Sequence, residues 1–142
     1  MLPSNRVTLI TLGVADLDRA ARFYAEWGWV PHPGSPDGLH LFQMHGAALA
    51  LFSRAELAAD QNRAAGDLGT GAMTLAQNCE DAAQVDAVFQ AALDAGATEL
   101  KRPEKVFWGG YSGYFADPDG HVWEIAHNPG WPLAPNGTLT LP

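Results

Sequence analysis

The chain is poor in cysteine and in positive charge. Of its 142 residues only one is cysteine, Cys79. No disulfide can close within the chain, and a cysteine-built zinc site is excluded. Lys and Arg number 8 against 16 Asp and Glu, a formal charge of −8. A chain this acidic is repelled by phosphate backbones and anionic lipid, so no nucleic-acid and no membrane partner is expected. No apolar run approaches the roughly 18 residues needed to cross a bilayer. The start, Met1-Leu-Pro-Ser-Asn-Arg6, has neither the basic residues nor the apolar stretch of a secretory leader. No Gly-x-Ser-x-Gly elbow, phosphate-cradling glycine loop or helical His-x-x-x-His occurs. What the chain does have is 47% apolar residues. At roughly 150 residues per domain, that makes one domain with one core. The reading is a cytoplasmic, single-domain protein.

Two stretches follow one pattern. Arg6 to Val14 is rich in β-branched residues and predicts a strand. Asp16 follows as a helix cap, and Leu17, Ala20, Ala21, Tyr24 and Trp27 keep the 3–4 spacing of one buried helix face. Gly28 sits where a helix ends in the left-handed conformation. Strands are predicted at Trp29 to His32, Leu39 to Met44 and Ala47 to Phe52, the first two parted by the turn Pro33 to Gly38. The order then returns. Ala72 to Asn78 predicts a strand, and Glu80 or Asp81 caps a helix through Val85, Val88, Phe89, Ala92 and Leu93 that stops at Gly96. Glu99 to Val106, Tyr111 to Ala116 and His121 to His127 follow as strands, the last two joined by the β-turn Asp117-Pro-Asp-Gly120. The offset is about 64 residues. The fold class is therefore α+β, with two tandem β-α-β-β-β modules at about 5–52 and 72–128. A polar connector, 53–71, with a helical turn or two, joins them, and a Pro-rich tail, 129–142, lies over the surface anchored by Trp131.

This doubled order resembles the vicinal oxygen chelate superfamily, which includes glyoxalase I, extradiol dioxygenases, fosfomycin-resistance transferases and bleomycin-resistance proteins. The residues that carry the likeness are Val14-Ala-Asp16 leading into Ala20-Ala-Arg-Phe-Tyr24, the trailing Gly28, and the closing hairpin Phe115-Ala-Asp-Pro-Asp-Gly-His-Val-Trp-Glu124. The resemblance implies curved mixed sheets around a cupped cavity, a small-molecule ligand and a homodimer. It also implies four positions that hold a divalent ion in metal-dependent members, where the ion stabilises an anion forming on the substrate. In this chain those positions fall on Leu9, Ala50, Met73 and Glu124. One oxygen donor among three apolar side chains does not hold such an ion. A slip of one residue brings in Thr8 or Ile10, and Ala72 or Thr74, none of them a usual ligand. The expectation is no metal and no cofactor.

Five histidines remain. His121 and His127 lie about 20 Å apart at strand rise, too far for one ion. His32 and His40 flank a turn and are either a solvent-facing pair or neighbours within reach of a common ligand. His45, before Gly46, is expected to be exposed, and Cys79 to be a spectator thiol.

Alternation puts Glu124 on one face of its strand with Val122 and Ala126, opposite Trp123 and Ile125. If the second set packs on the helices, Glu124 points into the cup. It is there a general base, an anchor for a cationic or hydroxylated ligand, or a structural carboxylate tied to Arg6, Arg102 or a backbone amide. Phe107-Trp-Gly-Gly-Tyr-Ser-Gly-Tyr-Phe115 holds five aromatics and three glycines in nine residues. Such a stretch leaves room for a flat ligand beside Trp108, Tyr111 or Tyr114. The favoured function is metal-independent small-molecule binding of the glyoxalase/bleomycin-resistance type beside Glu124, with Leu9, Ala50, Met73, Trp108, Tyr111 and Tyr114 around the ligand. The alternatives are a lyase- or isomerase-type step with Glu124 as catalytic base, and a divalent-metal enzyme of the glyoxalase or dioxygenase sort.

Overall fold

A computed structural model of the chain describes residues 2–142. The first strand, β1 (Leu9–Val14), leads into helix α1 (Leu17–Trp27), followed by strands β2 (Leu39–Gln43) and β3 (Ala48–Ser53). The connector carries helix α2 (Arg54–Asp60) and a single 3-10 turn at Ala65–Asp67. Then come β4 (Thr74–Asn78), α3 (Ala82–Asp94), β5 (Thr98–Lys105), β6 (Tyr111–Ala116) and β7 (Val122–His127). The strands form two separate mixed sheets, β1-β3-β2 and β4-β7-β6-β5. In each, the outer strand of the βαβ unit pairs in parallel and the hairpin pairs antiparallel. The described strands form no closed barrel.

Local chemistry explains the helix bounds. The Asp16 carboxylate accepts from Arg19 N at 3.0 Å, and Gly28 ends α1 with φ of 118°, a conformation strained for any side chain. At α3 the sequence left two caps open, and Asp81 is the cap, accepting from Gln84 N at 2.8 Å. The Gln84 amide oxygen reaches back to Glu80 N at 2.7 Å, so both residues of the pair are used. The expected strand at Trp29 to His32 does not form. Pro31 and Pro33 remove alternate backbone donors, and His32 N to Leu41 O at 2.7 Å is what remains of a ladder. The first sheet therefore has three strands and the second four.

One core serves both halves. Phe23, Tyr24 and Trp27 of α1 are buried together with Phe42 and Leu51 of the first sheet and Phe115, Trp123 and Ile125 of the second. The Trp27 indole Nε1 donates to Val88 O of α3 at 3.1 Å. Tyr24 Oη donates to Asp117 Oδ2 at 2.6 Å and accepts from Trp123 Nε1 at 3.1 Å. The turn that Asp117 begins is tied to the start of α1 as well: Asp119 Oδ1 accepts from Ala15 N at 2.8 Å and from Arg19 Nη2 at 3.0 Å. No helix among the described residues is long and apolar enough to cross a membrane.

Cys79 follows β4 and is 4% exposed. Burial, with the nearby Asp81 charge, pushes its thiol up to about 11. At pH 7.5 a maleimide should label the native protein roughly a hundredfold more slowly than the urea-unfolded chain, because the thiolate is the nucleophile. Comparable rates would show that the thiol is open.

Candidate functional site

Strand pairing decides which way each candidate faces. Glu124 pairs with Tyr114 on one side and Ala76 on the other. Trp123, Ile125 and Phe115, one residue out of phase, are buried in the core beneath the helices. Glu124, Tyr114 and Ser112 therefore share the face of the second sheet turned away from α3. They line a cavity of about 330 Å³ with Trp108, Lys101 and Lys105.

Two glycines shape that cavity. A Cβ on Gly110 would lie 1.7 Å from the Trp108 ring, so the indole folds back over the bare backbone and lies at the cavity wall. A Cβ on Gly113 would lie 2.8 Å from Lys101 O, where β5 bulges toward β6. The bulge brings Lys101, Glu104 and Lys105 to the cavity rim, with Lys101 Nζ paired to Glu104 Oε1 at 3.2 Å. The two lysines balance Glu104 and Glu124, so the rim carries no excess negative charge at this point. Burial, and then the adjoining Glu124 charge, raise the Tyr114 phenol above the usual tyrosine range. Tyr114 thus keeps its proton beside a carboxylate, an arrangement that can donate to one ligand atom and accept from another.

Tyr111 lies on the opposite face of β6. Its hydroxyl donates to Asp86 Oδ1 of α3 at 2.7 Å, and its ring packs against the core. The other three register positions are not gathered around Glu124 within the chain. Leu9 is 50% exposed and Met73 56%. Ala50 is buried, on the same face of the first sheet as Gly13. Helix α2 packs on that face, where a Cβ on Gly13 would meet the Leu57 side chain at 3.1 Å. Met73 belongs to a different cavity, of about 310 Å³, between the connector and the ends of β1 and β7. The sequence reading gave the connector no site residues, although Arg54 and Arg63 stand out in a cation-poor chain. A third hollow, of about 630 Å³, lies over Trp29, Phe42 and Trp123 beside the tail residues Asn136 and Gly137.

Two histidine rings lie against backbone carbonyls. His121 Nε2 lies 2.7 Å from Gly13 O and His127 Nδ1 lies 3.2 Å from Cys79 O. His45 is exposed. Among the described residues no three His, Cys, Asp or Glu side chains come together as a group that could hold a metal ion. Glu124 as the one donor of the register set does not fit a chelated divalent ion.

A family model described as the Glyoxalase/Bleomycin resistance protein/Dioxygenase superfamily matches residues 6–125. The chain belongs to this superfamily. Among solved structures, a glyoxalase-related enzyme from Fulvimarina pelagi superposes with a TM-score of 0.88 at 37% identity, covering 97% of this chain and 99% of that one. Lactoylglutathione lyase from Agrobacterium tumefaciens shares the superfamily fold, with a TM-score of 0.66 at 24% identity over 89% and 96% of the two chains. A curated relative, an uncharacterized protein of Mycobacterium bovis, is 51% identical over 41 residues, which is 29% of this chain and 27% of that protein. This superfamily member thus shares only about a quarter of that relative's length.

Proposed function

We propose that this superfamily member binds a flat small molecule beside Glu124 without a metal ion, as a cytoplasmic homodimer. The observation that carries the reading is the convergence of Glu124, Tyr114, Ser112 and Trp108 on one cavity. The indole offers a stacking face, and the carboxylate takes a hydrogen bond from an amine or hydroxyl of the ligand. The balanced lysines and glutamates at the rim favour a ligand of low net charge. The exposed Leu9 and Phe107 favour a second copy of the chain that covers them, whereas Ala50, 1% exposed, lies outside that contact.

A second reading is an enzyme. Tyr114 and Glu124 make a proton donor beside a proton acceptor, as a lyase- or isomerase-type step next to a carbonyl requires. The likeness to lactoylglutathione lyase is in line with it. A divalent-metal reaction is the least supported, because the donors are missing.

Native mass spectrometry of the purified protein should show a dimer with a co-purifying organic molecule and no stoichiometric transition metal. Glu124→Gln should weaken that molecule's binding at least tenfold, equivalent to about 1.4 kcal/mol. Unchanged affinity with loss of a measured conversion would favour the enzyme over the binder. A bound transition metal at one per chain would overturn both metal-free readings.

A further inference from the structure

The connector cavity has a charge opposite to that of the molecule around it. Its walls include Arg54 and Arg63 and no Asp or Glu side chain, in a chain with 8 basic and 16 acidic residues. Neither arginine forms an ion pair among the described residues. Instead, backbone carbonyls hold them in place. Arg54 donates to Leu68 O, and Arg63 Nη2 donates to Asp67 O at 2.9 Å. Arg63 Nη1 also donates to Gln61 Oε1 at 3.3 Å. A guanidinium has five N–H groups in a fixed fork, so these bonds orient each arginine and leave most of its donors unused.

A second set of donors lines the same space. Among the described residues, the backbone N–H groups of Gly69, Thr70, Gly71 and Ala72 donate to no protein acceptor. Thr70 lies beside the closing turn, since a Cβ on Gly120 would lie 3.1 Å from Thr70 Oγ1. Leu57, Leu68 and Met73 add apolar side chains to the same lining. The volume of about 310 Å³ lies at the lower end of small-molecule sites.

We propose that this cavity binds a small organic anion. A carboxylate or phosphoryl head is received by Arg54, Arg63 and the 69–72 amides, and a short apolar body lies on Leu57, Leu68 and Met73. Carbonyl contacts alone would account for a connector pinned to the domain. They do not account for two uncompensated charges facing a hollow free of carboxylates. The site is separate from the Glu124 cavity and stands whether or not that reading does.

The test uses the full chain, with thermal melting and calorimetric titration at fixed ionic strength. The probes are hexanoate, hexyl phosphate and, as a neutral control, hexanol. Either anion should raise the melting temperature in a saturable way, while hexanol does not. The tighter of the two identifies the head group. Arg63→Gln changes an exposed side chain and should leave the fold intact while weakening the anion at least tenfold. Arg22→Gln, an exposed cation on α1, should leave binding unchanged, and so should Glu124→Gln. Arg54→Gln should match Arg63→Gln, and if it fails to fold, Arg63→Gln decides alone. Absence of saturable stabilisation by both anions, equal stabilisation by hexanol, or equal affinity in Arg63→Gln would overturn the proposal.

Discussion

Replacing Asp117 with alanine should destabilise the protein by about 3 kcal/mol, a fall of roughly 10 °C in melting temperature. Asp117 is 3% exposed. Its carboxylate accepts from Tyr24 Oη at 2.6 Å and from Asp119 N and His121 N, each at 2.9 Å. Alanine leaves a buried phenol without its acceptor and frees the two amides that shape the closing turn. It also loosens the turn's hold on the start of α1, since Asp119 sits two residues further on. Asp117→Asn should cost less, because one amide oxygen can still accept the turn amides while the Tyr24 contact weakens. A melt within 3 °C of the parent for Asp117→Ala would show that water replaces the carboxylate, and that the junction of the two modules does not depend on it.

Trp27→Ala should cost about 4 kcal/mol, and urea unfolding is the measurement. The indole is 7% exposed, stacks on Trp29 with ring centroids 5.8 Å apart, and meets Trp123 edge-on at 5.1 Å and Phe115 at 5.3 Å. It joins α1 to the second sheet's core and, through Nε1, to a carbonyl of α3. Deleting it opens a void where the halves meet and leaves Val88 O without that donor. The near-ultraviolet dichroism of the stacked pair should collapse in the same variant. Trp27→Phe restores part of the packing but not the hydrogen bond, and should fall between the two. A loss below about 1 kcal/mol for Trp27→Ala would mean that the neighbouring rings close the gap.

Helix α1 was legible to the residue because independent signals agree there. Asp16 offers a cap, the apolar residues repeat at helical spacing, and Gly28 takes a backbone angle that only glycine adopts cheaply. Glu124's face was legible for the same kind of reason, since alternation along β7 admits one choice once Trp123 and Ile125 are buried. The strand expected at Trp29 to His32 failed because apolar residues suggested a ladder that Pro31 and Pro33 cannot supply with donors. Tyr111 shows a subtler limit. Its place among five clustered aromatics suggested the cavity, but the parity of β6 turns it toward Asp86 on α3, while Tyr114, three residues on, faces Glu124.

Local chemistry written along the chain therefore determined the helices, most strand bounds, the repeated module and the carboxylate at the end of it, because each depends on neighbours a few residues away. Which cavities exist depended on contacts between residues far apart. Gly13 has no side chain, so α2 can lie close to the first sheet, and that placement sets Arg54 and Arg63 around a hollow beside β1 and β7. No periodicity in a polar connector encodes where it docks; the shape of the surface it meets, assembled from the other half of the chain, decides it.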